Sequence, residues 1–250
     1  MNRTVHVPVG FVARSPERNL RCRNLTDVNA IVDVPAADLR PRLRGWLHVW
    51  AGAVSVATGM ALISVAGAVR GERAGLATAV YAVSVLALFS TSATYHRVRW
   101  STRGHSVMKR LDHSMIFVLI AGTYTPFALL GLPWHIGRVV LAVVWLGATA
   151  GVILKMAWPH APRALGVPLY LALGWVGVFV FPPLLRGVGV TGVMLLAIGG
   201  ALYSLGAVVY ALRWPDPLPH LFGFHEVFHL CTVVAALCHY VAVWFVVFAN

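Results

Sequence analysis

Acidic side chains are scarce in this chain: eight Asp and Glu among 250 residues, against 20 Lys and Arg. Charged residues of all kinds make up 11%, less than half the roughly 25% usual for soluble domains. A chain so poor in charge cannot clothe a water-facing globule, which excludes a separate soluble domain. Cysteine is rare too, at three residues. Cys22 lies near the N-terminus. Cys231 and Cys238 are seven apart, about 10 Å of rise on one helix, too far for a disulfide. They read as small apolar residues. No apolar stretch of signal-peptide length follows the early arginines, so a cleaved export signal is not expected.

Apolar residues are abundant, at 59%, and the mean hydropathy is +0.77. They fall into seven stretches, at 46–69, 75–95, 112–132, 138–157, 165–185, 188–212 and 224–248. Each is near the roughly 20 residues that cross the hydrocarbon core as a helix. The expected fold is an all-α membrane protein of seven transmembrane helices over 45–250, preceded by a basic, mobile arm over 1–44. Short connections at 70–74 and 186–187 make spans one and two, and five and six, antiparallel neighbours.

The basic excess is not spread evenly. With the N-terminus in the cytoplasm, 16 of the 20 Lys and Arg lie on the inner side: the arm, Arg97 to Arg110, Lys155, Arg163 and Arg213. Arg70, Arg73, Arg138 and Arg186 fall outside. That asymmetry is the positive-inside signal, and it places the C-terminus outside. The expected setting is the cell membrane, in a bacterium the inner membrane. The charge then serves topology and attracts anionic lipid headgroups; it is not a nucleic-acid footprint. Nothing in the sequence speaks to an oligomeric state.

Only two acidic residues touch the apolar stretches, Asp112 and Glu226, and each adjoins a histidine. Ionisable groups at membrane depth are costly unless paired or functional. His225 and His229 are four residues apart, which puts both on one helix face. Under the topology above, His96 ends the second span, Asp112 opens the third and His225 opens the seventh, all near the cytoplasmic boundary. Three imidazoles with an open position form a known catalytic zinc arrangement, in which the pKa of the metal's water falls to about 7. Asp112 then activates water. Ser92, four residues before His96, assists a ligand, the water or an oxyanion. His48 could face the same site. Glu226 completes a His-Glu-x-x-His zinc-protease signature, so an intramembrane metalloprotease stays open. His113 points about 100° from Asp112, and His239 lies about 15 Å beyond His229, so neither joins the ligand set.

Several runs share one pattern: Arg44-Gly45-Trp46-Leu47-His48, Ser92-Ala93-Thr94-Tyr95-His96, Arg110-Leu111-Asp112-His113, Ala121 to Phe127, Gly223 to His229, and Leu237-Cys238-His239. Over about 44–248 it resembles the haemolysin III family, the bacterial branch of the progestin and adiponectin receptor superfamily. The resemblance implies zinc on His96, His225 and His229, with Asp112 acting through water and Ser92 matching the motif serine. It also implies a hydrolase of lipid amides or a receptor. Where the family often carries a Glu-and-Asn motif before the first-span histidine, this chain has Arg42-Leu43-Arg44-Gly45. The family also allows residues other than Glu at the position of Glu226, which counts against that residue as the base.

The resulting expectation is a zinc-dependent hydrolase acting on membrane lipid, most simply at an amide bond. A zinc-stabilised receptor or sensor is the alternative, and a cytolysin or pore comes third. The spans supply no row of charges for a water-filled pore.

Overall fold

The computed structural model describes residues 41–158 and 163–249. Of the arm expected over 1–44, only the last four residues fall within that range. The described chain is helical, and six of its helical stretches are long and apolar enough to cross a membrane. The helices are α1 (Trp46–Arg70), α2 (Glu72–Arg97), α3 (Thr102–Pro126), α4 (Trp134–Ala157), α5 (Arg163–Gly174), α6 (Phe181–Leu212) and α7 (Phe224–Phe248). A π-helical turn, Phe127–Gly131, extends α3 past Pro126, and a 3-10 segment, Trp175–Val180, joins α5 to α6. No strand forms among the described residues. In hydrocarbon every backbone amide needs an internal partner, and a helix supplies it within one segment.

Small residues set the helix spacing. Gly67 faces Gly75 across α1 and α2, Gly151 lies against the ring of Phe117 across α4 and α3, and Gly206 faces Cys231 across α6 and α7. Close approach at such positions supplies the van der Waals contact that drives helix association in lipid. The core so formed includes Tyr81, Phe117, Val144, Val243, Val246 and Val247. Outside it, large apolar side chains face outward: Phe179 is 88% exposed and Leu146 70%. An apolar exterior on this scale fits lipid rather than water.

Contacts define two ends of the bundle. At one, Arg44 reaches Glu226, His96 meets His225, and Arg110 Nη1 donates to the Met156 carbonyl at 3.2 Å. At the other, Arg70 Nη1 donates to the Val246 carbonyl at 2.8 Å, and the Arg73 guanidinium lies 5.4 Å over the Trp134 ring. Most of the described Lys and Arg sit at the first end, with the histidines.

Two boundaries differ from the sequence-based expectation. Spans five and six, expected at 165–185 and 188–212, lie within one helical stretch, Leu165–Leu212. The open connection expected at 186–187 is absent. The helix instead breaks at one residue, Gly189, with φ 78° and ψ 168°, a conformation open essentially to glycine alone. A break confined to one residue leaves few backbone groups without partners. α3 begins at Thr102, ten residues before its apolar stretch, with the Ser101 hydroxyl accepting from the Gly104 amide at 3.2 Å. Hydropathy cannot register the nearly three turns, mostly polar, that extend past the apolar layer; the capping serine marks them.

Candidate metal centre

α7 is capped by Gly223, whose N–H donates to Glu226 Oε2 at 2.9 Å, while Asp216 Oδ1 accepts from the Phe224 N–H at 3.0 Å. These bonds satisfy amides that the first turn of a helix leaves open. They also fix the rotation of the turn that carries His225 and His229. α2 delivers His96 from the opposite direction.

The three rings converge. His96 Nε2 and His225 Nε2 are 3.1 Å apart, and one nitrogen from each of His96, His225 and His229 lies within 4.8 Å of the other two. Ring centroids are 4.5 Å apart for His225 and His229 and 5.1 Å for His96 and His229. Nitrogens around tetrahedral zinc, at about 2.05 Å from it, sit about 3.3 Å apart. The 3.1 Å pair is already near that spacing, and small ring rotations would bring in the third nitrogen. His229 Nδ1 is buried with no hydrogen-bond partner. Such an orphaned atom, beside two other imidazoles, is the donor chemistry a divalent cation takes. The cluster could hold a metal ion.

Asp112 and Ser92 border the same space. With His48, His225 and His229 they line a cavity of about 150 Å³. The Ser92 hydroxyl donates to the Asp112 carboxylate, which turns the serine toward the acid. Ser92 comes from α2 and Asp112 from α3, so this bond ties together two helices that carry site residues.

His48 is buried. Its ring stacks on His229 with centroids 3.8 Å apart and planes 15° apart, so it backs a ligand face to face. Glu226 is fully buried. Its Oε1 takes Arg44 Nε at 2.8 Å and its Oε2 takes the Gly223 amide. Both oxygens are therefore engaged in holding the helix start, which weakens the protease reading of the His-Glu-x-x-His signature. His239 lies deeper, with Nε2 3.2 Å from the Leu196 carbonyl, and does not join the cluster.

Sequence reasoning missed two residues. His113 was set aside for its direction, yet it lines the cavity. Its Nδ1 lies 2.7 Å from the Lys109 carbonyl, which fixes the proton there and leaves Nε2 to accept from the Tyr210 hydroxyl at 3.2 Å. The Tyr210 ring stands edge-on to His225, with centroids 5.8 Å apart. The signal for His113 was its place beside Asp112. For Tyr210 there was none, since only the packing of α6 on α7 brings it near.

Away from the three-histidine cluster the cavity wall is mainly apolar. A second cavity of about 250 Å³ adjoins it, sharing Thr123, Tyr124, Trp175 and His239. Phe127, Leu132, Val140, Phe181 and Leu184 line this deeper space.

A bundle of apolar helices with a three-histidine cluster at its basic end defines a class: polytopic membrane proteins with an interior histidine cluster that could hold a metal ion. The chain belongs to the family described as Haemolysin-III related, which it matches over residues 38–240. It is 35% identical over 131 residues to the "Hemolysin-3 homolog" of Bacillus subtilis (strain 168), covering 52% of this chain and 61% of that protein. To the "Hemolysin-3" of Bacillus cereus it is 34% identical over 155 residues, 62% of this chain and 68% of the relative. The "Adiponectin receptor protein" of Drosophila melanogaster is 28% identical over 151 residues, 54% of this chain and 34% of its own length. The matches thus span about two thirds of the bacterial relatives. With its six apolar spans and these bacterial relatives, the chain is a multi-pass membrane protein of the bacterial plasma membrane.

Proposed function

We propose that this protein is a zinc-dependent hydrolase of membrane lipid amides, with His96, His225 and His229 holding the ion. The observation that carries the reading is the convergence of three imidazoles, two of which, His225 and His229, line a largely apolar cavity together with the hydrogen-bonded Ser92–Asp112 pair. Zinc held by these nitrogens supplies Lewis-acid polarisation and a water whose pKa is about 7. Asp112 orients the attacking water and takes its proton. Ser92, donating to that carboxylate, fixes which oxygen faces the water. The apolar walls beyond hold acyl chains and exclude bulk solvent, which strengthens each polar contact inside.

The same reading includes topology. The stretch Leu165–Leu212 crosses twice, reversing at Gly189, so that seven passes put the N-terminus in the cytoplasm and the C-terminus outside. Contacts along the stretch support this. The Tyr170 hydroxyl donates to the His113 carbonyl at the histidine end. Gly187 and Val188 lie against Gly131, which itself packs on Val246, and Tyr210 returns to His225.

The test is turnover of a lipid amide by purified protein. Asp112→Ala and His225→Ala are expected to abolish it; normal turnover by either would overturn the mechanism. A second reading, a receptor whose zinc is structural, is favoured by the likeness to a protein named as an adiponectin receptor. Stoichiometric zinc with no turnover across a lipid-amide panel would select it. The name hemolysin borne by the Bacillus relatives raises a third, lytic reading, which zinc-independent dye release from liposomes would select.

A further inference from the structure

The three histidines come from two helices, α2 and α7, that touch each other only sparsely. Something else must set their relative placement. One short segment, 42–48, contacts all the parts. Its backbone is fastened to the loop before α7: the Arg42 N–H donates to the His220 carbonyl at 3.1 Å, and the Leu43 N–H to the Leu221 carbonyl at 3.3 Å. The next side chain, Arg44, reaches Glu226 Oε1 at 2.8 Å. Glu226 is buried and lies between His225 and His229 in sequence, with its other oxygen on the Gly223 amide. Turning the start of α7 about its axis would break this pair.

The segment then crosses to α2. Gly45 has φ +80°, and a Cβ built on it would stand 2.7 Å from Cβ of His96. Only glycine permits both this conformation and this approach. The neighbouring Arg97 guanidinium lies 4.5 Å over the ring of Trp46, holding the α2 end against the same segment. Within the first turn of α1, His48 stacks on His229.

We propose that residues 42–48 form a clasp that positions the three metal-site histidines, with Arg44 the positioning residue for α7 and Gly45 the seat for His96. The inference rests on the metal-centre reading above. The clasp explains why a cation stands so near a site for another cation. By charge alone, Arg44 repels a divalent ion, and removing it strengthens metal binding. By geometry, removing it frees the first turn of α7 and weakens binding. The two effects have opposite signs.

The experiment is zinc release from detergent-purified, zinc-loaded protein challenged with a chelator, with the melting temperature of each zinc-free protein as the control for folding. Wild type is compared with Arg44→Ala, Arg44→Lys, Gly45→Ala and His225→Ala. Arg44→Ala is expected to lose zinc about 10–100-fold faster, the range for groups that orient metal ligands, and Arg44→Lys to recover part of that loss. Gly45→Ala is expected to change in the same direction by displacing His96. Release from Arg44→Ala at the wild-type rate or slower would overturn the clasp while leaving the metal centre intact. Should Arg44→Ala fail to fold, Gly45→Ala decides alone, and wild-type retention there would overturn the clasp. Wild type that binds no zinc would instead overturn the metal reading, and the clasp with it.

Discussion

In the proposed mechanism Asp112 and Ser92 divide the labour at the site in a way single substitutions can separate. Asp112→Asn keeps the shape of the side chain and a group for Ser92 to meet, but loses the base. It is expected to hold zinc at wild-type stoichiometry while turnover of a lipid amide falls by about 10²–10⁴, the span for general-base catalysis. Metal analysis beside a rate assay checks both halves. Zinc lost together with activity would make Asp112 a ligand instead. At this scale the sequence was informative about types and spacing. The i, i+4 pair His225/His229 and the isolated acid Asp112 stand out because ionisable groups are rare in the spans. The roles of Glu226 and Tyr210 were hidden. The partner of Glu226, Arg44, lies 182 positions away, and Tyr210 is an ordinary aromatic in an apolar helix until α7 packs beside it.

Helix ends and breaks carry most of what the sequence obscured. Apolarity located the spans but not the mostly polar turns that begin α3, where Ser101 caps the Gly104 amide. Ser101→Ala is expected to lower stability by about 1 kcal/mol and to leave zinc content unchanged, read from thermal melting beside metal analysis. The break in Leu165–Leu212 falls at Gly189, two residues past the short connection expected at 186–187, because a single glycine can take a bend that an apolar run does not mark. Gly189→Ala forces a side chain into φ 78° and is expected to cost about 1–3 kcal/mol, seen as a lower melting temperature. An unchanged melting temperature would place the bend elsewhere.

For the molecule as a whole, charge and hydropathy together predict orientation. The described cations crowd the histidine end of the bundle, while Arg70, Arg73, Arg138 and Arg186 do not. A reporter fused after Asn250 that is active only outside the cell is expected to be active, and the same reporter ahead of Met1 inactive; the reverse pattern would invert the protein and put the site on the outer face. The general architecture was legible because lipid dictates it: spans must be helical, long and apolar. The cavity was not, since it arises from small residues and a bent α5–α6 stretch meeting across several helices. The adjoining cavity, lined by Phe127, Leu132 and Phe181, is apolar as the proposed lipid substrate requires.

The proposed chemistry depends first on a metal ion at three histidines. The direct measurement is elemental analysis of detergent-purified wild type beside the double variant His225→Ala/His229→Ala, with circular dichroism to confirm helix content in both. One zinc per chain in wild type, lost in a variant that keeps its helices, is the predicted result. Wild type free of metal after purification with zinc present, or a folded variant that retains its zinc, would contradict it.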